Sequence, residues 1–185
     1  MGYADFAKSL SLDYPILSDP SRKTAEAYGL LKAPGGVTNR YTVYVGKDGK
    51  VLMTLGKKGV AGTGNDEFDA PTDVAVAPNG DIFVGDGHSG GGTATGNARI
   101  VKFTKDGKFI KAWGKKGNGP SEFEAPHSLA FDSKGRLFVA DRGNNRIQIF
   151  DQDGKLLDQW KQFSRPTGIY IDAHDTLYVA DSDSD

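Results

Sequence analysis

The residues whose types could do chemistry in this 185-residue chain are three histidines and a few arginines, because the chain contains no cysteine. His127 directly follows Pro126, His88 follows the pair Asp86-Gly87, and His174 stands between Ala173 and Asp175. A neutral imidazole can ligate a metal or move a proton near neutral pH. A catalytic zinc takes about three protein ligands and keeps a water in its open position. His127 and His88 are therefore the candidate zinc ligands, and a third histidine in an equivalent place is wanting. The competing reading of His127 is a ring hydrogen-bonded at the rim of a cleft, and His174 is expected in solvent. Arg142 and Arg146 flank the string Gly-Asn-Asn. A guanidinium there either meets an anionic group or pairs with Asp141 and caps loop carbonyls. With no thiolate present, cysteine-based nucleophilic, redox and metal chemistry are excluded.

These residues sit on a repeating frame. The strings FDAPTDVAVAPNGDIFVGDG (68–87), FEAPHSLAFDSKGRLFVADR (123–142) and FSRPTGIYIDAHDTLYVADS (163–182) align without gaps, and each runs 15 residues from its proline to its closing aspartate. Their downstream halves agree too, since Arg99 to Trp113 and Arg146 to Trp160 both span 14 residues through an Asp-Gly turn. The first two prolines lie 55 residues apart and the last two 40, and the difference falls in two loops, between Asp86 and Arg99 and between Trp113 and Pro126. Length change confined to loops is the behaviour of stacked supersecondary units. Each full unit offers four short apolar runs, as in Leu129–Phe131, Leu137–Ala140, Ile147–Phe150 and Leu156–Trp160, divided by Gly, Asp and Asn turns. Four antiparallel strands per unit of this length make a propeller blade. The fold class expected is mainly β: an incomplete propeller of about two and a half blades over 53–185, its third unit stopping after the second strand.

The run FVADRGNNRIQIFDQDGK from residue 138 resembles the NHL repeat, and the resemblance covers about 57–185. It implies an NHL-type propeller of the six-bladed class, binding a protein or peptide ligand through loops at the channel face. PTDVAV (71–76), GDGH (85–88), ARIVKF (98–103), PHSLAF (126–131) and VADRGNNRIQIF (139–150) are similar to the middle blades of the peptidyl-α-hydroxyglycine α-amidating lyases. That likeness implies a zinc-ligand role for His127 and an active-site role for Arg142, while the lyases carry a tyrosine where His88 stands. The first reading is a binding scaffold without catalysis and without a cofactor. The alternative is the remnant of a zinc-dependent carbon-nitrogen lyase that cleaves peptidyl-α-hydroxyglycine to an amide and glyoxylate.

Residues 1–38 break the β pattern, and 1–52 are expected as a segment separate from the repeats. SRKTAEAYGLL from Ser21 reads as a helix ended at Gly29, and Tyr14-Pro-Ile-Leu-Ser as a short strand before it. DYPILSDPSRKTAEAYGL (13–30) with NRYTVYVGKDGKVL (39–52) resembles the later half of a peroxiredoxin of the AhpC/TSA type, with a partial α/β thioredoxin-like fold. The resemblance places Arg40 at the arginine that family uses beside its reactive sulfur. Without a cysteine Arg40 has no thiolate to serve, so the chain is not a peroxidase. YVGKDGKVLMTLG (44–56) also superposes on KFTKDGKFIKAWG (102–114), so one string satisfies both families.

A net charge of -1 gives no reason to expect nucleic acid. The chain shows no signal peptide or membrane-length apolar run, so the expectation is a soluble protein, cytoplasmic by default and secreted if a true N-terminus is missing. Open blade faces are expected to favour self-association. The Gly-rich stretch 87–97 lacks the Lys-Ser/Thr pair and following helix of a phosphate cradle and reads as a channel-side loop. The acidic end DSDSD lacks the glycine turn and distal glutamate of a calcium loop and reads as a solvated terminus.

Overall fold

The apolar runs flanking the Asp-Gly and Asn-Gly turns form antiparallel sheets in a computed structural model that describes residues 42–45, 50–88 and 96–183. The chain divides into two compact units, residues 1–39 and 40–185. The first unit lies outside the described residues, and with it the expected strand at Tyr14 and helix from Ser21. Arg40, positions 89–95 of the Gly-rich loop and the last two residues also lie outside them.

Twelve strands are present among the described residues. One four-stranded sheet takes β3 (Pro71–Val76), β4 (Ile82–Asp86), β5 (Arg99–Phe103) and β6 (Phe109–Trp113) in sequence order, and a second takes β7 (Pro126–Phe131), β8 (Leu137–Asp141), β9 (Arg146–Phe150) and β10 (Leu156–Trp160). Two further sheets have two strands each: β1 (Thr42–Val45) with β2 (Val51–Leu55), and β11 (Pro166–Ile171) with β12 (Leu177–Asp181). The first strand of each unit starts at its proline, three residues earlier than the apolar run that marks it in 126–131. This strand is the free edge of its sheet, where the missing N–H of proline forfeits no ladder bond.

The two-stranded sheets are opposite halves of a blade. β1 and β2 pair Thr42 with Leu55 and Val45 with Val51, the register breaking between Tyr44 and Val45. β5 and β6 pair Ile100 with Trp113 and Phe103 with Phe109, breaking at the equivalent place. β1–β2 is thus an outer hairpin. β11–β12 repeats the register of β3–β4 and β7–β8 and is an inner hairpin.

Strands β4 and β8 are buried along their whole length because both faces are covered. Successive side chains leave a strand on opposite faces. Ile82 and Val84 accordingly join Leu55, Phe68, Val101 and Phe103 in one core, while Phe83 joins Leu129, Leu137, Val139 and Phe150 in the next. Phe138 packs from the other side of β8 with Ile147 and Ile149 against Ile169, Leu177 and Val179. Apolar layers therefore alternate with sheets from β2 to β12. Two turn glycines show how tightly the layers meet. Gly154 has φ +81°, and a Cβ there would lie 2.8 Å from the Trp113 ring. At Gly107, φ +78°, a Cβ would lie 2.5 Å from Met53 Sδ of β2, so β2 stacks on the blade after it as β6 does.

A polar knot recurs in each full blade. Asp86 Oδ1 accepts from the Asp69 and Ala70 amides, and its Oδ2 from Asn97 Nδ2 and Arg99 Nε. Asp141 repeats this with the Glu124 and Ala125 amides, Asn144 and Arg146. The arginines then donate to interblade loop carbonyls, Arg99 to Thr63, Gly64 and Glu67, and Arg146 to Asn118, Gly119 and Glu122. Arg99 uses four of its five donors this way and Arg146, which also donates to Gln159 Oε1, uses all five, a fork that a lysine could not fill.

Candidate functional site

The position after each unit's proline is set apart by a β-bulge. Pro126 pairs with Asp141 and Ser128 with Ala140, so His127 is left without an opposite residue. Thr72 and Thr167 are skipped in the same way in the neighbouring units. A bulge bends its strand and re-aims the extra side chain. Here it turns His127 toward the next unit, where His127 Nδ1 lies 2.7 Å from the Thr167 carbonyl oxygen. A carbonyl only accepts, so Nδ1 carries the proton and Nε2 keeps its lone pair. Thr72 Oγ1 donates to the Pro126 carbonyl, tying the preceding unit to the same place.

His88 reaches the site from the end of β4. Its ring centroid is 5.3 Å from that of His127, tilted by 55°. Gly87 makes this approach achievable: its φ is +139°, and a Cβ would lie 1.9 Å from the Asn97 carbonyl oxygen. Arg142 follows β8 in a single 3₁₀ turn, Arg142–Asn144, and its amide donates to the Ala125 carbonyl. Its Nε is buried and makes no hydrogen bond. The two arginines that flank Gly-Asn-Asn therefore divide the readings open to them: Arg146 is consumed by the knot with Asp141, while Arg142 keeps an unsatisfied donor near His127. His174 sits exposed in a turn, apart from this cluster.

Asp73 was not singled out by sequence reasoning, although it occupies the position one past the bulge, where Ser128 and Gly168 stand in the other units. Its Oδ2 accepts from Ser128 Oγ and from the Leu129 amide, and Ser128 Oγ in turn accepts from the Ile169 amide. This relay crosses all three inner strands, β3, β7 and β11, and ties them together one residue past His127. An acidic residue among otherwise small ones at that aligned position was the only signal.

The electrostatics favour a neutral imidazole. Burial lowers the His127 pKa from 6.5, the positive charge of Arg142 and the neighbouring His88 lower it further, and the Thr167 carbonyl and Asp73 oppose them. Among the described residues there is no group of three or more His, Cys, Asp or Glu that could hold a metal ion. Two imidazoles fall short of the three protein ligands expected of a catalytic zinc. The described residues of this site thus supply two of the three protein ligands such a zinc takes.

Stacked four-stranded antiparallel sheets with alternating apolar layers define a segment of a β-propeller, and the His88–His127–Arg142 cluster lies on its inner strand and adjoining turns. Within that class the chain carries an NHL repeat: residues 123–150 match the NHL repeat family, and residues 3–53 match the AhpC/TSA family. Human NHL repeat-containing protein 3 is 41% identical over 115 residues, covering 60% of this chain and 32% of that protein. The peptidyl-alpha-hydroxyglycine alpha-amidating lyase 1 of Drosophila melanogaster is 40% identical over 114 residues, covering 57% of this chain and 20% of that protein. The chain thus spans a third or less of the length of these relatives. A gluconolactonase structure from Xanthomonas campestris superposes with a TM-score of 0.56 at 18% identity, over 83% of this chain and 48% of that one. The AhpC/TSA match ends inside β2, so the string shared by the two families folds as the outer hairpin of a blade.

Proposed function

We propose that this chain is a propeller scaffold that binds a peptide through a carboxylate at the His88–His127–Arg142 cluster and does not catalyse a reaction. The observation that carries this reading is the buried Arg142 Nε without a partner. An unsatisfied buried donor costs about 1–3 kcal/mol, and a carboxylate is the acceptor that a guanidinium meets with two parallel bonds. The His127 ring, held by Thr167 with Nε2 unprotonated, adds an adaptable second contact, as a donor once it is protonated. The rigid blades hold these groups while the loops around them vary.

The test is calorimetric titration of short peptides with free and amidated C-termini into the chain and its Arg142→Ala variant. The free-acid peptide is expected to bind, and Arg142→Ala to weaken it about 10- to 100-fold, the worth of a charge-assisted bond. Equal affinity for both peptide forms would sink the proposal.

The second reading, a zinc lyase remnant, is favoured by the similarity to the Drosophila lyase and by the carbonyl-held Nδ1 of His127, the arrangement that orients a metal-binding imidazole. Metal analysis after dialysis separates the two. The binding scaffold predicts substoichiometric zinc that changes little in His127→Ala. One zinc per chain, lost in that variant together with glyoxylate release from an α-hydroxyglycine peptide, would establish the lyase.

A further inference from the structure

We infer that Asn118 is a site of self-modification, at which the Gly119 amide nitrogen closes on the Asn118 side chain with Glu122 as the base and leaves an isoaspartate in the loop that holds the Arg142 turn. The chain has two Asn-Gly pairs, Asn79-Gly80 and Asn118-Gly119. A glycine after asparagine has no Cβ to obstruct ring closure through its own nitrogen. Sequence alone therefore grants both pairs this reaction, and their surroundings separate them. In the β3–β4 turn, Gly80 N donates to the Ala77 carbonyl at 2.8 Å, an acceptor with no basicity near neutral pH. The Asn79 amide is held as well, its Nδ2 donating to Asp81 Oδ2 and its Oδ1 accepting from the Asp81 amide. Gly107, Gly135 and Gly154 give their N–H to a turn carbonyl in the same way as Gly80. Gly119 differs, because its N–H donates to Glu122 Oε2 at 2.9 Å. A carboxylate within hydrogen-bond reach of a proton is placed to remove it. The Gly119 N–H, and then Lys115 beside it, hold the Glu122 carboxyl below its ordinary pKa and so in its ionised form. Asn118 is exposed, and among the described residues nothing holds its side-chain amide.

The reaction balances with water as its one co-reactant. The Gly119 nitrogen loses its proton to Glu122 and bonds to Asn118 Cγ. The Cγ–Nδ2 bond breaks, and ammonia leaves with that proton, which restores the carboxylate. Water then opens the cyclic imide at either carbonyl. Opening at the side-chain carbonyl leaves aspartate, and opening at the main-chain carbonyl leaves isoaspartate, in which the chain runs through Cγ and is one methylene longer. That extra carbon falls between carbonyls the fold uses. Arg146 Nη1 donates to the Asn118 carbonyl and Nη2 to the Gly119 carbonyl, both at 2.9 Å, and Asn144 Nδ2 donates to the Gly117 carbonyl. With the bond from the Arg142 amide to the Ala125 carbonyl, these contacts fasten the Arg142–Asn144 turn to the loop before β7. In isoaspartate the Asn118 carbonyl becomes a free carboxylate and the Gly119 carbonyl is displaced, so Arg146 does not keep both bonds in good geometry. The modification loosens the turn that presents Arg142, whatever ligand that arginine meets.

Peptide mapping by mass spectrometry of the folded chain, kept at neutral pH and sampled over weeks, follows both Asn-Gly pairs in one molecule. Asn118 should convert several-fold faster than Asn79 in the folded chain, whereas in denaturant, where the surroundings are lost, the two should convert at similar rates. Glu122→Gln retains an acceptor for the Gly119 N–H but no base. It should slow conversion at Asn118 about 10- to 100-fold, the lower end of general-base catalysis because a carboxylate of lowered pKa is a weak base, and leave Asn79 unchanged. The separated isoaspartyl form should exchange the Arg142 amide hydrogen faster than the unaltered chain and faster than Asn118→Asp, which has the charge without the longer backbone. Conversion at Asn118 no faster than at Asn79 in the folded chain, an unchanged rate in Glu122→Gln, or unchanged exchange at Arg142 in the isoaspartyl form would each overturn the inference.

Discussion

His127 couples the bulge to the charge state of the site. The bulge delivers its ring to the Thr167 carbonyl, and burial together with the Arg142 and His88 charges lowers its pKa below the ordinary 6.5. Between the lowered folded value and 6.5 the unfolded chain binds more protons than the folded one, so the contribution of His127 to stability is present above about 6.5 and falls as pH drops through that window. Imidazole NMR should place its midpoint below 6.5, and Arg142→Ala should move it up only part of the way, since burial is the larger cause. A midpoint at or above 6.5 would contradict the buried geometry. The knot beside it makes a different prediction. Asp141 is fully buried and is the carboxylate paired with Arg146 Nε. Asp141→Ala strands that guanidinium and two loop amides, so it should cost about 3–5 kcal/mol in chemical denaturation. Arg142→Ala, which breaks no side-chain bond at Nε, should cost far less.

At the scale of the elements, the blades were legible because strand length, turn chemistry and the proline-to-aspartate spacing all repeat without gaps. Their first strands extend to the proline because that edge needs no donor. The role of 42–55 was only half legible. Its likeness to 102–114 was visible, but the same residues satisfy the AhpC/TSA pattern, and sequence alone does not choose between two folds that share a hairpin. What decides is tertiary: Met53 and Leu55 meet Gly107 as Trp113 meets Gly154. The candidate site was legible in its residue types and not in its grouping. His88 and His127 come from different blades, and Arg142 differs from Arg146 only in which of them the knot consumes. The turn packing gives its own test. Gly154→Ala adds a Cβ against the Trp113 ring at a left-handed φ, combining overpacking with backbone strain. It should destabilise by about 1–3 kcal/mol, whereas Gly59→Ala, equally left-handed at φ +75° but with open space around it, should pay for the strain alone. Equal losses at the two sites would show that the interblade contact carries no energy.

For the molecule as a whole, the covering of the sheets is uneven, and stability should follow it. β8 is buried at every position between two apolar layers, whereas Val76 of β3 is 55% exposed and Tyr170 and Tyr178 of β11 and β12 are 58% and 54% exposed. A side chain enclosed on all sides loses both its transfer free energy and its packing when it is truncated, because the surrounding layers close only partly over the gap. Leu137→Ala, at a fully buried position of β8, should therefore cost about 2–5 kcal/mol in chemical denaturation. Val76→Thr, at an exposed position of β3, should stay within about 0.5 kcal/mol of the unaltered chain. Equal losses at the two positions would show that the layers on either side of β8 contribute no more to stability than the exposed face of β3.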